Sequence, residues 1–425
     1  MAFFLKIAYT FCVMNDFFIQ AKKLQPNLRS VRRFLHRHAE VGFDLHQTTD
    51  FVKKQLKELK IPVKTCGKGS LLATLGRKKG KTVLLRADMD ALPIQEEIKK
   101  PFACKTGAMH ACGHDFHTTM LLGAAQLLKR KEQELDGHIL LLFQAAEESL
   151  QGAKDVLSTG ILNAEKPNVA IALHVMTATP FPCGTLVLPT DGVGAPAADF
   201  FTLKVQGKGC HGSTPHKGVD ALVIAHQIFS CLQALSAREL PSGENAVLTV
   251  GKFFAGEAPN AIPDTAFLQG TLRTFDEQLR LHVKQRLLEI AENIPKTFRG
   301  TGALTFDSGC PSLLNNGVLA KELFEILQNG YEIKKVIDAA TFGKTEKGGG
   351  SEDFAYISRE IPSVLIAIAA GSQQDGYQYP LHHPKTDFDE RALSIGAATY
   401  ATCAYELLCS SEKWREKDNR LKHDA

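Results

Sequence analysis

The chain has almost no charge bias: 50 Lys plus Arg face 46 Asp plus Glu, a formal charge of +4. It also has no long basic run. A nucleic-acid partner, which would call for a basic face or stripe, is therefore excluded. Ten cysteines are present, yet none forms a Cys-x-x-Cys pair and their spacing gives no disulfide framework. That usage points to a reducing, cytoplasmic setting. No apolar run reaches the roughly 20 residues that a bilayer span needs, so no membrane partner is expected. The mostly apolar start, residues 1–14 (MAFFLKIAYTFCVM), is broken by Lys6. With no basic region before it and no small-x-small site after it, it reads as a start-site extension or short surface segment ahead of the first helix, not as an export signal. The glycine run 348–350 is not followed by the Lys-Ser/Thr of a phosphate-binding loop. No internal repeat is seen.

The 425 residues are 44% apolar, enough for a large core and two or three domains. Apolar spacing predicts helices over 27–38, 46–60, 115–133 and 151–159, and apolar runs predict buried strands at 71–75, 82–87, 139–143, 169–173 and 364–370. This alternation indicates an α/β fold with a mostly parallel sheet flanked by helices. The middle differs. Strands near 198–206, 245–254, 264–273 and 303–307, with helices at 219–238 and 276–294, follow a β-α-β-β-α-β order, that of a ferredoxin-like domain. The α/β pattern resumes with helices 316–329 and 388–409, and a charged tail, 411–425, is expected to fray. The expected organisation is a split catalytic domain, 15–192 and 307–425, around an inserted α+β domain, 193–306.

Polar clusters follow the apolar strands: Arg86-Ala87-Asp88-Met89-Asp90, then His110 to His117 (HACGHDFH), Glu147-Glu148, His174, and His382-His383-Pro384. In open α/β sheets, ligands bind beyond the carboxyl ends of the strands. Cys, His and Glu together suit a divalent transition metal. Cys112 and His114, two apart, can face one centre from a local turn. Of the adjacent Glu147 and Glu148, a metal can neutralise one while the other acts as a base. Any one of these clusters could equally be structural, a buried histidine or a solvated acidic pair. His46, His216 and His226 read as ordinary surface or core residues, and Ser351-Glu352-Asp353 as a helix start.

Together the strings RADMDALP (86–93), HACGHDFH (110–117), FQAAEE (143–148), Leu173-His174-Val175, GKGCHGSTPH around His211, Asn260-Ala261-Ile262-Pro263, GTLRT (270–274), GSEDF (350–354) and LHHP (381–384) resemble the aminoacylase and carboxypeptidase superfamily of metallopeptidases. Within it they are similar to the amidohydrolase branch of hippurate hydrolases, N-acetyldiaminopimelate deacetylases and auxin-conjugate hydrolases. The resemblance covers about residues 28–409, and HACGHDFH and GSEDF are its most specific strings.

The resemblance implies a metal-dependent hydrolase that cleaves the amide bond of a small N-acyl amino acid. It implies two divalent metal ions, manganese or zinc, with nickel or cobalt also compatible. Cys112 matches the bridging ligand; His114, Glu148, His174 and His382 match the others, His382 being preferred to His383 on the pattern Leu-His-x-Pro. Glu147 matches the general acid/base and Asp90 the acid that orients a ligand. His211, Asn260 and Arg273 match substrate-reaching residues of the inserted domain, which would serve as lid and dimerisation surface. His211's counterpart is often supplied by the partner subunit, so a homodimer is expected. Arg273 and Asn260 would hold the free carboxylate of the substrate. The sequence departs from the family pattern at Ala39, Cys210 and Ala261. Two rivals stay open on the residues alone: an amidase with Cys112 as nucleophile, and a noncatalytic binding protein on the same fold.

Overall fold

The computed structural model describes residues 2–77, 80–241, 243, 245–331, 335–342 and 350–409, with the side chains of 2–15 left aside. Gly348, Gly349 and the tail expected to fray lie outside the described residues. Two units are present. The second spans Ala195–Leu313 with a short stretch ending at Ala355, and the first holds the residues up to Gly194 and most of those after Leu313.

The first unit begins with α1 (Ala2–Arg37) and α2 (His46–Glu58), then β1 (Val63–Cys66), β2 (Ser70–Gly76), β3 (Lys81–Asp88), α3 (His114–Arg130), β4 (Gly137–Gln144), α4 (Gly152–Ser158), α5 (Ile161–Glu165), β5 (Val169–Met176), β6 (Leu186–Leu188) and β7 (Gly192–Ala195). The second unit carries β8 (Ala197–Gln206), β9 (Cys210–His211), α6 (Ala221–Arg238), β10 (Ala246–Ala255), β11 (Ala261–Ile262), β12 (Thr265–Thr274), α7 (Glu277–Thr297) and β13 (Thr301–Cys310). The chain then closes the first unit with β14 (Leu313–Asn315), α8 (Gly317–Gly330), β15 (Val336–Asp338), α9 (Phe354–Glu360), β16 (Ser363–Ala369) and α10 (Ala392–Cys409).

The large sheet runs β1-β2-β4-β3-β5-β16-β6-β15. Its centre is parallel, β4 to β3 to β5 to β16, while β1, β2 and β6 add antiparallel pairings. This is the α/β sheet flanked by helices that the alternating pattern indicated, parallel through its centre as expected and with antiparallel pairings added toward its edges. Strands β3 to β5 are apolar along nearly their whole length because both faces are covered.

The N-terminus differs from expectation. Among the described residues the stretch from Ala2 is part of the first helix, which runs Ala2–Arg37 straight through Pro26. An interior proline costs a helix about 3 kcal/mol. On this helix Phe17, Ala21, Leu24, Leu28, Val31 and Leu35 recur at alternating spacings of four and three, and all are buried in the core with α3 and α10. Each large side chain buried this way contributes about 1.5–3 kcal/mol, so the continuous apolar face outweighs the proline.

In the second unit the sheet order β10-β12-β8-β13 is antiparallel throughout and ferredoxin-like, as the strand and helix order predicted. Helices α6 and α7 cover one face, burying Ile224, Ile228, Leu232, Val283 and Leu287. Asp220 caps α6 by accepting from Leu222 N and Val223 N, and Asp276 caps α7 by accepting from Leu279 N. Buried Asp199 takes a two-pronged contact from Arg280, at 2.6 and 2.8 Å, tying α7 to β8.

Candidate metal centre

Strand order alone marks a crevice. From β3 the chain crosses by α3 to β4 on one side, and from β4 it returns to β5 on the other. The carboxyl end between β3 and β5 is therefore a topological switch point. The two strands pair as far as Arg86 and Ala172. There the buried Tyr400 hydroxyl of α10 steps in, donating to Arg86 O at 2.6 Å and accepting from Leu173 N at 2.8 Å. His174 follows on β5, the connection after β3 carries Cys112, and α3 opens on His114.

The turn Cys112-Gly113-His114 needs its glycine. Gly113 has φ +84°, and a Cβ there would lie 2.3 Å from a methyl of Val175. The turn thus packs against β5 and delivers Cys112 beside His174, with Sγ 3.5 Å from Nε2. Backbone strain recurs at two non-glycine positions, Ala146 (φ +57°), just before the glutamate pair, and His382 (φ +64°). The His382 loop is fixed to the cysteine turn by His382 N donating to Ala111 O at 3.0 Å.

These side chains converge. Cys112, His114 and His174 each place one ligand-type atom within 4.8 Å of the others, and so do Cys112, Glu148 and His382. The two trios share the Cys112 sulfur. Glu147 joins His114 and Glu148 in a third group. The gaps are too wide for hydrogen bonds and suit an ion: His114 Nε2 stands 3.7 Å from Glu148 and 3.9 Å from Glu147, and His382 Nε2 3.6 Å from Glu148. Among the described residues, both ring nitrogens of buried His114 and Glu148 Oε1 lack a hydrogen-bond partner. Such buried polar atoms are costly unless something else satisfies them. A thiolate, imidazoles and carboxylates around one gap fit a first-row divalent cation.

Electrostatics agree. Burial pushes the Cys112 thiol well above its ordinary range. Burial also pushes Glu148 up to about 7, with Asp90 and Asp88 adding to the rise. A bound cation reverses both effects. His174 falls to about 4, chiefly through burial. Its Nδ1 lies 2.8 Å from Val175 O, to which it donates, leaving the Nε2 lone pair facing Cys112. Asp90 is a clamp: its two oxygens accept from Glu147 N at 3.0 Å and Glu148 N at 3.1 Å, and one lies 3.4 Å from His114 Nδ1.

Sequence reasoning passed over Asp88 and His117. His117 Nδ1 donates to Asp88 Oδ1 at 2.6 Å, and His117 Nε2 accepts from Val175 N at 2.9 Å. Both ring nitrogens are thus committed, and burial lowers the ring to about 4. His117 is a neutral brace and not a ligand, although it stands near His114. Asp88 is further held by Arg86 at 2.8 Å. The signal was present in the string RADMD, where Asp88 and Asp90 alternate.

On the second unit, β9 and β11 pair His211 with Ala261, and Gly212 N donates to Asn260 O at 2.8 Å, so His211 and Asn260 are neighbours. His211 is exposed, and its Nδ1 accepts from Ser213 N at 3.1 Å. That leaves Nε2–H as a free donor when the ring is neutral. Arg273 is elsewhere. It pairs with Ala198 and Val247 near the end of β12, eight residues beyond Thr265, or about 26 Å at the usual rise. The structure therefore joins His211 to Asn260 but does not bring Arg273 to them within one chain. At the start of α9, Glu352 Oε1 accepts from Phe354 N at 2.8 Å.

An α/β sheet with a metal-fitted crevice at its switch point defines a class, the metallohydrolases built on an open sheet. Residues 84–406 match the family model "Peptidase family M20/M25/M40", and the chain belongs to that family. It is 36% identical over 411 residues to the N-acetyl-L-cysteine deacetylase of Bacillus subtilis (strain 168), covering 94% of this chain and 92% of that protein. It is 31% identical over 404 residues to the IAA-amino acid hydrolase ILR1-like 4 of Arabidopsis thaliana, covering 94% and 88%. The crystal structure of Bacillus subtilis YXEP protein, described as a dinuclear metal binding peptidase from the M20 family, matches 92% of this chain and 100% of its own, with TM-score 0.73 and 31% identity. No described helix is long and apolar enough to cross a membrane.

Proposed function

We propose that Cys112, His114, Glu148, His174 and His382 hold two divalent cations, manganese or zinc, and that Glu147 moves protons during hydrolysis of the amide bond of an N-acyl amino acid. The reaction class, amide hydrolysis, is that of the family. The observation that carries the rest is the pair of trios sharing Cys112, with the partnerless atoms of His114 and Glu148 lining the gap. When bound, such cations acidify a water and polarise a carbonyl. Glu147 stands at the rim of the same gap, its backbone pinned by Asp90. It takes the proton of the attacking water and returns it to the leaving amine. His211 supplies Nε2–H to the oxygen that gains charge. Arg273 and Asn260 hold the substrate carboxylate. Since β12 separates Arg273 from the His211–Asn260 pair, a site that uses all three draws on two chains, which supports a homodimer. The free state of the described cysteines supports a cytoplasmic setting.

The rival with Cys112 as nucleophile is disfavoured because burial keeps that thiol protonated unless a cation is present. A chelator separates the two. Metal-free protein should lose all hydrolysis of N-acetyl, N-benzoyl and indole-acetyl amino acids and of N-acetyldiaminopimelate, and added manganese or zinc should restore it for at least one. Full activity after verified metal removal would sink the proposal.

A further inference from the structure

A cavity lies on the first unit, and none of the proposed metal ligands lines it. It has a volume of about 640 Å³ and is lined by five cationic side chains, Arg29, Arg33, Arg37, Lys100 and Arg391, against two carboxylates, Asp389 and Glu390. The volume is that of a small-molecule site.

The excess of positive charge is built into the helix. Arg29, Arg33 and Arg37 recur every four residues on α1, so their guanidiniums share one face. Like charges at that spacing repel. A single carboxylate answers them: Glu390 takes both prongs of Arg33, at 2.9 and 2.7 Å, and also Arg29 at 3.1 Å. It is shared further with buried Arg32, at 3.5 Å. Arg391 is already neutralised by Asp389 and Lys100 by Asp387, each at 2.5 Å. Arg37 makes only a contact to Pro101 O, at 3.2 Å, and among the described residues no carboxylate reaches it. Phe102 forms an apolar wall, with Arg33 4.7 Å from its ring centre, which orients that guanidinium along the pocket. Arginine forks on a concave wall match oxyanions two oxygens at a time.

We infer that this cavity is a second ligand site, one that takes a small molecule carrying a doubly charged oxyanion, a phosphomonoester or a dicarboxylate, between Arg29, Arg33 and Arg37. The site is independent of the hydrolytic reading, because none of the proposed metal ligands lines it. It is nevertheless connected to the centre, since Arg32 joins Glu390 on one side to Asp115, the neighbour of His114, at 2.7 Å on the other.

The test is calorimetric titration of the full-length, metal-loaded protein with phenyl phosphate and, separately, with glutarate, in a chloride buffer of low ionic strength. One of the two should bind saturably at one equivalent per chain, and which one does so fixes the ligand class. Arg33→Ala/Arg37→Ala should weaken that binding at least tenfold with circular dichroism unchanged. Arg37→Ala alone, which breaks no ion pair, should weaken it about threefold, and this arm stands even if the double variant folds poorly. Absence of saturable binding by either probe would overturn the inference. So would wild-type affinity in both the Arg37→Ala and the double variant, since the anion would then sit elsewhere, the metal centre included.

Discussion

The proposed ligands of the first unit and the His211–Asn260 pair of the second are made on opposite plans. Cys112, His114 and Glu147 are each less than 10% exposed and held by neighbours, His382 being the one exposed member of the proposed ligand set: Gly113 sets the turn, Asp90 pins the glutamates, and Asp88 holds the His117 ring stacked beside His114. His211 and Asn260 lie on a two-stranded rim, open to solvent, with the His211 ring held among the described residues by Ser213. Burial with fixed partners makes a site complete in itself. Exposure leaves groups that act only when something arrives to meet them. The first plan suits a reaction centre, the second a contact made from outside.

The largest effect expected from breaking the buried side is that of Glu147→Gln. It should lower kcat by about 10²–10⁴-fold while metal content by elemental analysis stays unchanged. Cys112→Ala, by contrast, should lose metal along with rate. Near-normal turnover in the first variant, or full metal in the second, would erase the distinction between ligand and proton carrier.

The exposed side is sharpened by mixing. His211→Ala should lower kcat by about 10²–10³-fold without moving the melting temperature. Arg273→Ala should act mainly on KM. Mixed and allowed to exchange subunits, and assayed at a substrate concentration low enough that each variant alone is slow, the two should regain up to about one quarter of wild-type activity, because half the dimers then hold one site with both residues intact. No recovery despite verified exchange would mean that the two residues serve one chain's site separately.

The smallest effect concerns burial without a site. Glu406 of α10 is buried, and burial alone raises it to about 7, the value that burial together with Asp90 and Asp88 gives Glu148. Its folded pKa exceeds the ordinary value of 4.5, so the folded state holds the extra proton and stability falls as pH rises through 4.5 to 7. Glu406→Gln should therefore be more stable than wild type at pH 8, by up to about 3 kcal/mol, and equal to it near pH 4. Thermal melts at the two pH values check this. An equal difference at both would separate Glu406 from the behaviour assigned to Glu148.

Much of the centre was legible because the fold places it at strand ends. Asp88 closes β3, Glu147 and Glu148 follow β4, and His174 lies near the end of β5, each after an apolar run that could be seen in one dimension. Cys112 and His114 are close in sequence, so their convergence is local. The partners were not legible. Arg32 with Asp115, His117 with Asp88 and Tyr400 with Arg86 and Leu173 are separated by 29 to 314 residues. The helix through Pro26 was missed because local propensity opposed it and only burial against α3 and α10 overrode that preference.

By itself the sequence determined the periodicities, hence the α/β unit and the ferredoxin-like order, and the residue types that a divalent cation needs, because apolar spacing and donor chemistry are written residue by residue. Tertiary structure alone decided which histidine is a brace and that Arg273 stands a strand's length from Asn260. Those are distances between segments, and a distance is set by how strands pair and helices pack, about which a local pattern carries no information.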